Sequence, residues 1–289
     1  MQFLNFKQGT KQGGQQGLAV SNGAGFNGLL TTDANFPGLL QDLLAVGPDA
    51  LTRAAAVLSK GVAIDVSTIS YLPPVQTPGR IFCIGLNYVD HSVESGFAVP
   101  TYPAIFSRFA PSMIGHGAPI VRPKVSTQLD YEGELVAIIG KAGRYIAKDK
   151  ALEHVAGYSI CNDASIRDYQ FKSAQWTIGK NFDDSGPFGP IFVTADSLPP
   201  GATGLKIQTR LNGVVVQDAS TSSLIFDVAT LVHLLSEAVC LQPGDVIVTG
   251  TPSGVGLARK PPLFMKHGDV CEVEIEGIGI LSNPVVNQK

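Results

Sequence analysis

Beyond Arg80 the chain is a succession of short apolar or alternating runs, among them RIFCIGLN, AIFSRF, ELVAIIGK, GYSICND, LKIQTRLNG, VVVQD, DVIVTG and DVCEVEIE, most of them separated by Gly or Pro turns. This pattern predicts a large strand-rich domain rather than a regular series of β-α-β units. Asn212 and Gly213, between LKIQTRL and VVVQD, signal a tight hairpin turn. In the final run Val273 and Ile275 fall on one face while Glu272, Glu274 and Glu276 fall on the other, as in a half-solvated strand. The clearest helix is SSLIFDVATLVHLLSEAV, with Thr221, Ser222 and Ser223 as its expected cap residues. A shorter helix fits KDKALEHV.

The first 77 residues read differently. A glycine- and polar-rich start, GTKQGGQQG and SNGAGFNG, is expected to be mobile. Two helix-like pieces follow, one carrying the stripe Leu39, Leu40, Leu43 and Leu44, the other ALTRAAAVLSK ended by Gly61. The segment YLPPVQTPG suits an extended connector and places a domain boundary between 1–77 and 78–289.

Acidic residues outnumber basic ones by 24 to 21, and no stretch concentrates positive charge, which argues against nucleic-acid and anionic-membrane partners. The N-terminus lacks the pattern of a signal peptide, and no apolar run approaches the roughly 20 residues that span a bilayer. Cys83, Cys161, Cys240 and Cys271 are isolated and lie beside apolar residues, so they read as buried thiols of a reducing compartment. A cytoplasmic protein is expected.

The densest chemical signal is DYEGE at 130–134, directly before LVAIIG. On a strand Glu132 and Glu134 project to one face, with Gly133 leaving room between them. Two neighbouring carboxylates need a counter-charge, from a metal or a lysine. Asp163, at the polar end of YSICNDAS, would complete an all-oxygen set suited to Mg2+ or Mn2+ rather than to structural zinc. A solvent-facing strand edge explains the E-x-E spacing equally well, and Asp163 also fits a turn or helix cap.

In GLNYVDHSVESG, His91 and Glu94 are three apart, so on a short helix the carboxylate can orient the imidazole and raise its basicity. Such a pair could activate water; an exposed polar turn is the alternative. WTIGKNFDDSGPFGP holds Lys180 among small residues, where it could approach an anionic intermediate or neutralise the carboxylates, or else lie on the surface. Asp183 and Asp184 would cap the local turn or pair with it. VTGTPSGVG at 248–256 leaves a strand and enters a turn whose Thr249, Thr251 and Ser253 hydroxyls and backbone N–H groups can hold a carboxylate. His154, His233 and His267 read as structural, and His116 is undecided. P-loop, dinucleotide, G-x-S-x-G, HExxH and CxxC patterns are absent.

Together GLNYVDHSVES, DYEGELVAIIGK, YSICNDASIRDYQ, WTIGKNFDDSGPFGP and VTGTPSGVG, in this order from roughly Pro78 to the C-terminus, resemble the fumarylacetoacetate hydrolase family. The resemblance implies a mixed α+β, β-rich fold, a β-sandwich roll with a smaller N-terminal α/β accessory domain, usually as a homodimer. It implies Mg2+ or Mn2+ held by Glu132, Glu134 and Asp163, with Lys180 as the active-site lysine. His91 and Glu94 match a lid segment that becomes ordered on ligand binding in several relatives, and Arg167, Gln170 and Thr251 match substrate-binding positions.

The family acts on 2-oxo acids, often 2,4-dioxo acids. The resemblance therefore leads to an expected C–C hydrolase of an acylpyruvate-like acid, giving pyruvate and a carboxylic acid. In that reaction His91 deprotonates the attacking water, while Lys180 and the metal stabilise the enolate. The alternatives are decarboxylation of an oxaloacetate-like acid, isomerisation of a 2-hydroxy-2,4-dienedioate by the same dyad, and a noncatalytic 2-oxo-acid-binding protein. Fumarylacetoacetate itself is disfavoured, because members specialised for it have a longer N-terminal domain. Phe106, Arg108, Phe109, Tyr169, Gln170, Phe171 and Trp176 are candidates to shape the pocket for the substrate tail, with a core role for the aromatics an equal alternative, and Arg108 or Arg122 could favour a second carboxylate or a hydroxylated tail.

Overall fold

A computed structural model describes every residue except 10–12 and 95–97. Ser95 and Gly96 of the lid motif, and part of the start expected to be mobile, lie outside the described residues.

Among the described residues the strands form a twelve-stranded sheet and a five-stranded sheet, with a small two-stranded ladder near the site. At the centre of the large sheet is Gly133–Ile139, flanked by Val155–Asn162 on one side and Val246–Val248 on the other. Every residue of Gly133–Ile139 is buried. Its Leu135, Ala137 and Ile139 pack in one core with Ile207, Val273 and Ile275 of the five-stranded sheet. Its Val136 and Ile138 pack in a second core with Leu40, Leu44, Leu51 and Leu58 of the helices Leu40–Val46 and Pro48–Leu58. Coverage on both faces is why ELVAIIG is uninterruptedly apolar: each buried Leu, Ile or Val contributes roughly 1.5–3 kcal/mol, and no face is left for polar residues. The result is the expected β-rich sandwich of mixed strands, since Val246–Val248 runs parallel to Ile81–Gly85 while its other neighbour is antiparallel.

Residues 1–77 add to this same sheet. Gln2–Gln8 pairs antiparallel with Gly186–Thr194, and Gln15–Ser21 returns beside it. Much of the glycine-rich start is therefore strand. Asn212 and Gly213 both adopt positive φ, 53° and 78°, as a two-residue hairpin of this kind requires. On Val270–Ile275 the residues Cys271, Val273 and Ile275 are buried. The outward Glu272 and Glu274 both meet Arg210, at 3.1 and 2.6 Å.

Several expectations need correction. The long helix spans Val228–Ala238 and is capped by Asp227, which accepts the Thr230 N–H at 2.7 Å. Thr221–Ser223 form a separate 3-10 turn, because the carboxylate adjoining the first helical turn can reach its free N–H groups and the distant hydroxyls cannot. KDKALEH forms a 3-10 helix, Lys148–His154. Cys240 is exposed, unlike the other three cysteines, because it follows the end of the helix where the chain turns at the surface. His116 accepts the Ser282 N–H through Nδ1 at 3.1 Å and packs 4.6 Å from the Tyr71 ring, a structural role. None of the described helices is long and apolar enough to cross a membrane.

Candidate active site

Antiparallel register builds the acidic cluster. Gly133 is paired with Asn162 and Glu134 with Cys161, so Glu132 and Asp163 meet at the ends of adjacent strands. The Glu132 carbonyl accepts the Asp163 N–H at 2.8 Å, and the Asn162 side chain accepts the Glu132 N–H at 2.9 Å. Glu132, Glu134 and Asp163 are all buried, and each offers an oxygen lying within 4.8 Å of the other two. Gly133 does not serve as a spacer between the carboxylates. A Cβ there would point to the opposite face and meet Thr209 Oγ1 at 2.3 Å, so the glycine lets the second sheet pack closely behind the site.

Three buried cations surround the cluster. Lys180, at the end of the short helix Thr177–Lys180, places Nζ against Glu132 Oε2 and 2.7 Å from Asp163 Oδ2. Burial opposes its charge, but Asp163 and Glu132 outweigh burial and raise its pKa. Arg167 reaches Glu132 Oε1 at 2.7 Å and Asp130 Oδ2 at 2.8 Å. Arg108 holds Asp163 Oδ1 and donates to Ala164 O at 3.1 Å and Ser185 Oγ at 2.8 Å. Burial raises the pKa of Glu132, yet Lys180 and Arg167 drive it well below the ordinary carboxylate range. Glu134 is the odd member. Its Oε2 accepts the Gly250 N–H, but burial, Asp163 and Glu132 together push its pKa well above the ordinary value.

Of these side chains Glu132, Glu134, Arg167 and Lys180 line a cavity of about 270 Å³ whose wall also includes His91, Glu94, Gln170 and Thr251. It is smaller than the roughly 300–1,000 Å³ typical of drug-sized ligand sites. On Val89–Glu94, His91 and Glu94 share a face: the buried His91 Nδ1 stands 3.9 Å from Glu94 Oε1 and makes no hydrogen bond among the described residues. Glu94 Oε2 accepts the Gly254 N–H at 2.8 Å, tying this helix to the 249–254 turn. Burial would raise the Glu94 pKa, but the His91 and Gly254 contacts outweigh it and lower the value. Thr251 Oγ1 donates to Gly133 O at 3.0 Å and accepts from Gln217 at 2.8 Å, so its hydroxyl is engaged within the protein. Gln170 accepts from Arg167 at 2.8 Å.

Of the residues expected at the tail, Phe106, Gln170, Phe171 and Trp176 line the cavity. Arg108 does not read a substrate: it is fully buried and its guanidinium is spent on Asp163 and its neighbours. Arg122 is bonded to Asn287 at 3.0 Å on another strand, Phe109 is exposed, and Tyr169 packs on Phe182.

Asp130, the first residue of DYEGE, is a supporting position beside the site that sequence reasoning passes over. Its carboxylate accepts the N–H groups of Gly256, at 2.7 Å, and Leu257, at 2.9 Å, while pairing with Arg167. Its signal was its place at the head of the same polar run. Breaking such a buried pair costs about 3–5 kcal/mol, so Asp130→Ala should lower the unfolding free energy by that amount in a denaturant titration. A loss under 1 kcal/mol would contradict this account.

The charge balance of the site decides whether a divalent ion fits. Four buried carboxylates, Asp130, Glu132, Glu134 and Asp163, face three buried cations, Arg108, Arg167 and Lys180. With all of them ionised one negative charge is left over, and it falls on Glu134, which among the described residues forms no ion pair and accepts a backbone N–H from Gly250. A divalent cation among these all-oxygen donors turns that excess into a net positive charge, suited to an anionic acid. The residues therefore fit a hard divalent ion.

Residues 80–286 match the family model described as fumarylacetoacetate (FAA) hydrolase, C-terminal. The chain is 40% identical to oxaloacetate tautomerase fahd2, mitochondrial, of Xenopus laevis, over 99% of this chain and 90% of that protein. It is equally identical to oxaloacetate tautomerase FAHD2A, mitochondrial, of Homo sapiens, over 99% of this chain and 92% of the other. Among solved structures, a fumarylacetoacetate hydrolase from the psychrophile Exiguobacterium antarcticum superposes with a TM-score of 0.78 at 34% identity, covering 99% of this chain and all of the other. The expected cytoplasmic location is overturned by the two tautomerases, both mitochondrial by name. Isolated thiols and a near-neutral charge carry no address that separates one reducing compartment from another.

Proposed function

The chain belongs to the fumarylacetoacetate hydrolase family, and from that premise we propose that it is a divalent-metal-dependent tautomerase of an oxaloacetate-type 2-oxo diacid. The observation that carries this reading is the 40% identity along the full chain to two oxaloacetate tautomerases. It favours proton transfer over the C–C hydrolysis expected from the motifs. The site agrees chemically. A single imidazole, His91, is among the side chains lining the cavity, and moving a proton asks nothing else of it.

Keto–enol exchange breaks a C3–H bond, forms the C2=C3 double bond and places a proton on the C2 oxygen. His91 is the base for C3, with Glu94, 3.9 Å from its Nδ1, orienting the ring. Lys180, kept cationic by Asp163 and Glu132, donates toward the C2 oxygen as negative charge gathers there. In this reading the positive charge of Arg167, beside Gln170 in the cavity wall, would attract a substrate carboxylate. Glu132, Glu134 and Asp163 would hold Mg2+ or Mn2+, whose contribution is to polarise the 2-oxo group of a chelating acid.

The same enolate would arise in decarboxylation, the other reading available to an oxaloacetate-like substrate. A product-resolved assay with Mg2+ or Mn2+ separates them. Loss of enol absorbance is expected to accelerate without stoichiometric pyruvate, Glu132→Ala should abolish the acceleration, and acylpyruvates should stay uncleaved. Pyruvate formed in step with substrate loss would replace this reading with decarboxylation, and pyruvate plus a carboxylic acid from acylpyruvates would restore the hydrolase.

A further inference from the structure

We infer that Trp176 is the size filter of this cavity, restricting it to short 2-oxo diacids and excluding 2,4-dioxo acids with bulky tails. This deepens the tautomerase reading and rests on it for the identity of the natural substrate. Three contacts place the indole. It lines the cavity, its ring meets the edge of Phe106 with centroids 5.6 Å apart, and Phe106 in turn lies 4.9 Å from the Lys180 ammonium. Trp176 is thus one aromatic ring removed from the charged end where the reacting carbons must sit. The indole also lies directly over Gly85, at the end of Ile81–Gly85: a Cβ on that glycine would meet Trp176 Cζ3 at 2.3 Å and Cη2 at 2.9 Å. The backbone has been bared there to let the largest side chain in. Leu86, the next residue and also in the wall, holds φ at 58°, a conformation seldom adopted outside glycine, so the chain turns sharply beneath the ring. A large, flat, two-torsion side chain wedged between a glycine and a phenylalanine is a wall that yields little to a bulky ligand.

The test is a ratio of affinities, which needs no turnover. The Mn2+-loaded protein is titrated calorimetrically with oxalate, which occupies only the charged end, and with 4-phenyl-2,4-dioxobutanoate, which carries a bulky tail. Trp176→Ala should leave oxalate affinity within about threefold and tighten the phenyl acid at least tenfold, with Trp176→Leu giving the same direction should the alanine variant not fold. Gly85→Ala should drive the indole into the cavity and weaken both ligands at least tenfold, and adding Trp176→Ala to it should restore oxalate binding. An unchanged ratio in both Trp176 variants, or a double variant no better than Gly85→Ala alone, would overturn the filter. A wild-type protein that passes these binding tests but does not tautomerise oxaloacetate would remove the reaction while leaving the filter standing.

Discussion

Replacing Lys180 with alanine should lower kcat by roughly 10²–10³-fold, the loss typical when a donor to a developing oxyanion is removed, while divalent-metal affinity stays the same or rises. The two halves of this expectation come from one piece of geometry. Lys180 Nζ sits against Glu132 Oε2 and 2.7 Å from Asp163 Oδ2, oxygens that a metal would also use. Its removal takes away a competitor for those oxygens and leaves the carboxylates more repulsive, which favours the cation. It also takes away the positive charge expected at the C2 oxygen. Calorimetric titration with Mn2+ beside a keto–enol assay reads both quantities. A variant that loses metal and turnover together would make Lys180 a structural clamp on the acidic cluster and remove it from the proposed chemistry.

The chemistry of this site was more legible in the sequence than its support. E-x-E before an apolar run states a same-face pair by strand geometry alone, and Asn-Gly between alternating runs states a hairpin; both depend on neighbours in the chain. Arg108 illustrates the opposite case. Nothing local says that the residue after the strand Ala104–Ser107 will reach Asp163, 55 positions away, or that Gly186 lacks a Cβ because one would lie 2.6 Å from that guanidinium. An arginine near the lid motif looks like a substrate reader until the sheet order is known. Gly133 makes the same point: between two carboxylates it reads as a spacer, while the reason for its missing Cβ lies on the opposite face, where the second sheet arrives. Asp130 was on view in the motif, but its partners, Arg167 and the 256–257 backbone, become neighbours only through long-range pairing. Caps fail differently. Thr221 to Ser223 and Asp227 are all capable cap residues, and the choice depends on where the helix begins, which propensity leaves open by several residues.

Glu134→Gln should invert the order of stability between apo and metal-loaded protein. Without metal, burial and the neighbouring Asp163 and Glu132 raise the Glu134 pKa above its unfolded value. The folded state then binds this proton more tightly than the unfolded state does. That advantage is complete below the unfolded pKa, about 4.3 for a free glutamate, and is lost as pH rises through the folded value. In chelator the glutamine variant avoids this loss and can still accept the Gly250 N–H, so its unfolding temperature should gain on that of wild type as the pH rises from 4 to 8. With Mn2+ at a hundredfold excess over Kd, wild type should gain about 2.7 kcal/mol by mass action. The variant, with one carboxylate fewer, should bind at least roughly 100-fold more weakly and gain little. Thermal unfolding of both proteins in chelator and in Mn2+ at pH 8 checks the crossing. If wild type is the more stable of the two in chelator at that pH, Glu134 is not the uncompensated charge, and the case for a divalent ion drawn from the charge balance falls with it.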